Sequence, residues 1–283
     1  MGMRANEGSR SFWSARSLLI GLVVGWFGLM ILVPTLALAR KALEGGVWPF
    51  WGALISSDAR RAFGLTLGIA ALSTAVNTLF GVAFAMVLVR QRFWGRALAD
   101  GLVDLPFAVS PIIAGLMLVI VYGPNGRLGR ALESGGLRVV YAWPGMLLAT
   151  LFVTVPFVVR EVVPVLREFG VDQEEVARTL GAGRWRTFWH VTLPSIRWGL
   201  AYGVTLTVAR SLGEFGALLV VSGNVLGRTQ TATLYIHDAI EGFHPEGAYA
   251  ASVVLAGSSF VLLIGMEAAR KRIERHEAGS GEK

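Results

Sequence analysis

Glu175-Val176-Ala177-Arg178-Thr179-Leu180-Gly181, followed after nine residues by Val191-Thr192-Leu193-Pro194, is the stretch on which the reading of this chain turns. It lies in the most charged loop, between two long apolar segments. Asp172 is placed to cap a helix, with Glu175 three residues on, as in a capping box. Glu174 and Glu175 fall in the first turn, where the helix dipole favours carboxylates. Val176, Ala177 and Leu180 space an apolar side. Gly181 and Gly183 end that helix, since glycine accepts the left-handed conformation a C-cap requires. A second helix is expected through Trp185, Phe188 and Trp189, stopping at Leu193-Pro194. Two short helices about a glycine hinge suit a cleft in another protein: Ala177 and Gly181 are small, and the three aromatics offer an apolar anchor. The same composition also suits an amphipathic helix lying on a membrane, with Trp and Arg at the headgroups.

The flanks of this loop are apolar enough to choose a solvent. Of 283 residues 54% are hydrophobic and 16% charged, against roughly 25% charged in an ordinary soluble domain. Mean hydropathy is +0.58. A bilayer is the solvent that accepts such a chain. A helix needs about 20 apolar residues to cross it. Six spans are expected, over 17–38, 62–89, 102–121, 143–163, 198–221 and 249–266. Pro106, Pro111 and Pro156 interrupt the third and fourth and predict kinks, tolerated where neighbours or a water-lined cavity satisfy the freed carbonyls.

The net charge of +7 does not form a nucleic-acid groove; the basic residues sit between apolar blocks. With the N-terminus inside, seventeen of the 26 Lys and Arg fall in inner segments and eight in outer ones, Arg210 lying within a span. That excess predicts N-in, C-in and puts the charged loop in the cytoplasm. Arg16, an apolar run and Ala37-Leu38-Ala39 imitate a cleavable signal. The run is longer than the roughly 7–15 residues usual for one, which favours a retained anchor. The organisation expected is a polar tail over 1–16, a membrane domain over 17–266 holding the loop at 166–197, and a second tail over 267–283. Residues 277–283 have no apolar content to order them.

Absences narrow the chemistry. Without cysteine there is no disulfide, thiolate metal site or thiol nucleophile. Lys41, Lys271 and Lys283 are the only lysines and none follows glycine, so the chain has no phosphate-binding P-loop.

The spacing of Glu175, Ala177, Gly181, Val191, Leu193 and Pro194 resembles the EAA loop of ABC-importer permeases, with Val176 in place of the usual Ala and Val191 in place of Ile. The resemblance implies an all-α, polytopic membrane protein of six transmembrane helices with the type I importer permease fold. It also implies that these residues dock on a separate ATP-hydrolysing subunit, so that the chain is a transport subunit rather than an enzyme. It needs no cofactor of its own, ATP being bound by the partner. Residues 105–116 (LPFAVSPIIAGL) look like the third-span signature of sulfate/thiosulfate permeases, the CysW type in particular. Residues 210–216 (RSLGEFG) with 221–224 (VSGN) are similar to the fifth span of that group and of molybdate/tungstate permeases; 227–231 (GRTQT) leans towards the latter. The implied partners are ABC ATPase subunits, a second permease subunit (a different chain, or a copy of this one) and a periplasmic or tethered oxyanion-binding protein.

Within the spans, polar and kink-forming residues are candidates for a translocation path: Pro106, Ser110, Pro111, Arg210, Glu214, Ser222 and Asn224. Arg210 and Glu214 are four apart and share a helical face. Charge there is expensive and marks a pathway or a locked packing pair. Asn77, Ser222 and Asn224 suit an anion or ordinary interhelical hydrogen bonds equally. No catalytic residue and no metal site is expected. One constellation favours another class: His237, Glu241 and His244 at i, i+4, i+7, beside Asp238, share a helical face that could hold zinc in a membrane enzyme. No His-Glu-x-x-His accompanies them, and a solvated face is the plainer reading. An ATP-independent anion channel would leave the charged loop unexplained.

Overall fold

The computed structural model describes residues 7–242 and 245–280, and all regular structure among them is helical. The helices are α1 (Glu7–Leu43), α2 (Val47–Ile55), α3 (Ser57–Arg90), α4 (Arg96–Ala108), α5 (Pro111–Tyr122), α6 (Arg127–Ser134), α7 (Trp143–Phe169), α8 (Asp172–Thr179), α9 (Arg184–Thr187), α10 (Leu193–Leu212), α11 (Gly216–Val221), α12 (Ala232–Glu241) and α13 (Pro245–Ser280), with a π turn at Phe188–Thr192.

Helices α1, α3, α7 and α13 are each long and apolar enough to cross a bilayer, and α4 with α5 would make a fifth span bent by 110°. The bend has a local cause. Proline disfavours the helical region for the residue before it; Ser110 accordingly takes φ −58°, ψ 136°, and Pro111 restarts the helix from its first position. Pro156 and Pro164, in contrast, lie within an unbroken α7.

Of the six spans expected, the one at 198–221 is the correction: α10 is not among the described helices long and apolar enough to cross by themselves. The helical run begins earlier, at Leu193, and breaks at 213–215 between α10 and α11. Glu214 lies in that break, where its Oε1 accepts the Ala217 N–H at 3.0 Å. That bond satisfies a donor that the start of α11 leaves open. The C-terminal end also differs from expectation. Helix α13 runs on to Ser280, through most of the stretch read as an unordered stub, with an i, i+4 pair between Glu267 and Lys271 at 3.2 Å. At the other end α1 begins at Glu7, inside the expected tail.

The bundle is organised around α7, against which α3 and α10 pack. They approach where side chains vanish. A Cβ on Gly81 of α3 would lie 2.7 Å from Val158 Cγ1, and one on Gly203 of α10 would lie 3.0 Å from Val158 Cα. Small residues at the crossings are how helices pack closely in lipid. One core cluster joins Leu88, Val103, Val158, Val159, Val162, Leu166 and Ile196 at the end carrying the charged loop. A second joins Ile69, Met146, Val153, Leu218, Val221 and Leu234 towards the other end. Helix α1 lies outside both, packed on α13 and α2, with its leucines exposed as a lipid-facing helix requires.

Candidate functional site

The charged loop forms the expected helix–glycine–helix, with two corrections. Gly170, at φ +67°, turns the chain out of α7, and Val171 rather than Asp172 caps α8, its carbonyl accepting the Glu175 N–H at 3.0 Å. Asp172 is the first helical residue, so no side chain caps this end; three carboxylates in the first turn meet the helix dipole instead. Gly181 takes φ +88° just past the C-terminus, as expected.

The second correction concerns Leu193-Pro194, which do not stop the helix. The chain is helical without a gap from Arg184 to Leu212, passing through the π turn, where the Leu193 N–H bonds the Phe188 carbonyl. Proline normally clashes with the carbonyl four residues back and cannot bond it. A wider π turn immediately before Pro194 relieves that conflict. Leu193 and Phe188 pack on the core cluster at this end, so they tie the loop to the membrane helices instead of ending it.

Glu175, Val176, Leu180 and Gly181 are exposed, Leu180 by 83%, and Ala177 is half-buried. Asp172, Gln173, Val176, Ala177, Leu180 and Val191 line one open groove of about 400 Å³. Trp185, 73% exposed, stacks on Phe188 and meets Trp189 edge-on, which makes the expected apolar cluster. The residue the sequence did not single out is Glu174. It is 2% exposed; Oε1 accepts from Arg90 Nη2 at 3.0 Å and from Thr192 Oγ1 at 2.9 Å, and Arg178 lies 3.5 Å from Oε2. Of these partners only Arg178, at i+4, was readable from spacing.

The path candidates divide. Pro106, Ser110, Pro111 and Arg210 come together with Val153 and Phe157 around a cavity of about 420 Å³ at the α4–α5 bend. Arg210 Nη1 also pairs with Glu214 Oε2 at 2.9 Å; Glu214 is fully buried while Arg210 keeps about a third of its side chain exposed. Arg210 therefore neutralises Glu214 and is also one of the residues lining the cavity. Ser222 and Asn224 belong elsewhere and are not among the residues lining it. Asn224 Nδ2 donates to both Asp238 carboxylate oxygens at 2.8 and 2.7 Å, and its N–H to Ser222 Oγ at 3.0 Å. Gln230 Nε2 adds a third bond to Asp238 at 2.6 Å. These residues knit the 222–231 segment to α12. Asn77 donates to the Leu151 carbonyl and Thr154 Oγ1, binding α3 to α7.

The zinc constellation does not assemble among the described residues. His237 and Glu241 share a face of α12 at 3.3 Å, Asp238 is taken by Asn224 and Gln230, and His244 lies outside the described residues. No group of three or more metal-ligating side chains is found among those described.

Residues 77–275 match the family described as binding-protein-dependent transport system inner membrane component. The sulfate transport system permease protein CysW of Synechococcus elongatus is 48% identical over 246 residues, covering 87% of this chain and 86% of that one. The CysT permease of the Escherichia coli sulfate transport system is 37% identical over 272 residues, 96% of this chain and 98% of that one. Among solved structures, a bacterial alginate ABC transporter in complex with its pentasaccharide-bound periplasmic protein aligns over 96% of this chain, with TM-score 0.76 and 19% identity. That likeness carries the fold.

Proposed function

The chain belongs to the family of binding-protein-dependent transport system inner membrane components, and we propose that it is the permease subunit of an ATP-driven importer of sulfate or thiosulfate. The observation that carries the substrate is the 48% identity to a sulfate permease across nearly the whole of both chains. The stretch 227–231 that leaned towards molybdate is accounted for internally. Thr229 Oγ1 accepts the Val225 N–H and Gln230 holds Asp238, so neither side chain is needed to choose a solute.

In this reading a binding protein delivers the anion to one side of the membrane. The chain pairs with a second permease, a different chain as the separate CysW and CysT relatives suggest, and ATPase subunits dock on the face made by Glu175, Ala177 and Gly181. The exposed Leu180 and the groove beside Val191 supply apolar surface for that contact. The loop faces the cytoplasm, with both chain ends on the same side, because the basic residues concentrate there. Closure of the ATPases moves the loop, and the continuous helical run from Arg184 carries that motion towards the cavity. Arg210 offers the passing dianion a positive charge at the α4–α5 bend while holding Glu214 neutralised.

The experiment is labelled-sulfate uptake into vesicles holding the reconstituted importer, with unlabelled thiosulfate and molybdate as competitors. Strong competition by thiosulfate and weak competition by molybdate is expected. Uptake that molybdate suppresses better than sulfate itself would keep the mechanism and overturn the substrate.

A further inference from the structure

We propose that Glu174, not the exposed Glu175 beside it, is the positioning residue through which movement of α8 reaches the membrane helices. The inference rests on the reading of the loop as the ATPase-docking element.

Helix α8 is joined to the rest of the chain through glycine at both ends: Gly170 at φ +67° before it, Gly181 at φ +88° and Gly183 after it. It packs on α9 and the π turn. An element hinged on glycine and lightly packed rotates under load unless something ties it across. Glu174 is that tie. Its Oε1 receives Arg90, the last residue of α3, and Thr192, the last residue of the π turn, at 3.0 and 2.9 Å. One buried carboxylate oxygen thus joins the docking helix to the end of α3 and to the start of α10.

Both bonds are sheltered from water: Glu174 is 2% exposed and the Arg90 side chain 14%. A charge-assisted bond of this kind holds its geometry better than a solvated one. Thr192 and Arg210 lie on the same continuous helical run, eighteen residues apart, about 27 Å at 1.5 Å per residue. A displacement of α8 that moves Thr192 therefore moves Arg210 and the cavity wall with it. Without the Glu174 tie, α8 would follow the ATPase while α3 and α10 lagged behind.

The test uses the complete importer in vesicles and reads sulfate moved per ATP hydrolysed. Glu174→Gln keeps the shape and removes the charge. The ATPase subunit should copurify as with the unaltered chain and hydrolysis should continue, while sulfate per ATP falls about tenfold, since the largely buried Arg90 loses its counter-charge. Thr192→Val removes one hydrogen bond to Glu174 and should shift the same ratio by about two- to threefold. Gly181→Asp, on the docking face, should instead leave membrane insertion intact and abolish hydrolysis-linked uptake through loss of ATPase binding. An unaltered ratio in both variants, or uptake and hydrolysis falling in proportion, would overturn the proposal. If Glu174→Gln fails to assemble, Thr192→Val decides by the same criteria. An ATPase that fails to bind even the unaltered chain would remove the docking reading, and this inference with it.

Discussion

Of the two partners in the Arg210–Glu214 pair only Arg210 reaches the cavity, and that asymmetry sets the cost of losing either one. Glu214 is fully buried, with one oxygen on the Ala217 N–H and the other 2.9 Å from the guanidinium. Arg210→Gln strands a buried carboxylate, so it is expected to destabilise the chain by about 3–5 kcal/mol. Glu214→Gln leaves an arginine that can turn towards the cavity, a smaller loss. The double substitution should be milder than Arg210→Gln alone, read as detergent-solubilised melting temperature. Strictly additive losses would mean that the two side chains act separately. The i, i+4 spacing made this pair legible in the sequence. What spacing could not give is that Glu214 sits in a helix break, or that Ser222 and Asn224 serve Asp238 and not the path. Glu174 was passed over for a similar reason. Two adjacent glutamates have the same local signature, and which one is buried depends on Arg90, 84 residues away in sequence.

Among the elements, four of the apolar runs located helices long enough to cross, a fifth became the bent α4–α5 pair and the run at 198–221 did not form such a helix; the breaks followed local chemistry with mixed visibility. The α4–α5 bend was legible because Pro111 dictates the backbone of Ser110. The π turn was not: a proline after Leu193 reads as a stop, and only the packing of Phe188 and Leu193 on the core shows the helix passing through. Arg160 is a further case. It counted as one more inner positive charge, yet it is bound by Asp104 through Nε and Nη2 at 2.7 and 2.6 Å and by Asp100 at 2.7 Å, which fastens α4 to α7. The glycines at the α3–α7–α10 crossings carry the most direct test of the packing. Gly203→Leu would drive a side chain into the backbone of Val158, where even a Cβ comes within 3.0 Å. Overpacking of this kind costs about 1–3 kcal/mol. The melting temperature of the purified protein should fall clearly; an unchanged one would mean that α7 and α10 are not apposed at this point.

For the whole molecule, the structure separates three stations along one bundle: the exposed loop at one end, the cavity at the α4–α5 bend, and the polar knot around Asp238. Their order across the membrane depends on orientation. The chain has no native cysteine, so single cysteines report it cleanly. Trp48→Cys and Trp94→Cys replace side chains 87% and 100% exposed, in segments assigned to opposite sides by charge. An impermeant maleimide should label the first in intact cells and the second only after lysis; the reverse pattern would invert the topology. In the proposed cycle this permease moves an oxyanion by drawing on a partner's ATP. The most direct test is accumulation of labelled sulfate in vesicles carrying the full importer and its binding protein, supplied with ATP or with a non-hydrolysable analogue. Accumulation above the external concentration is expected with ATP, and none with the analogue. Equal uptake under both conditions would show a passive anion pathway and contradict the coupling role given to the loop.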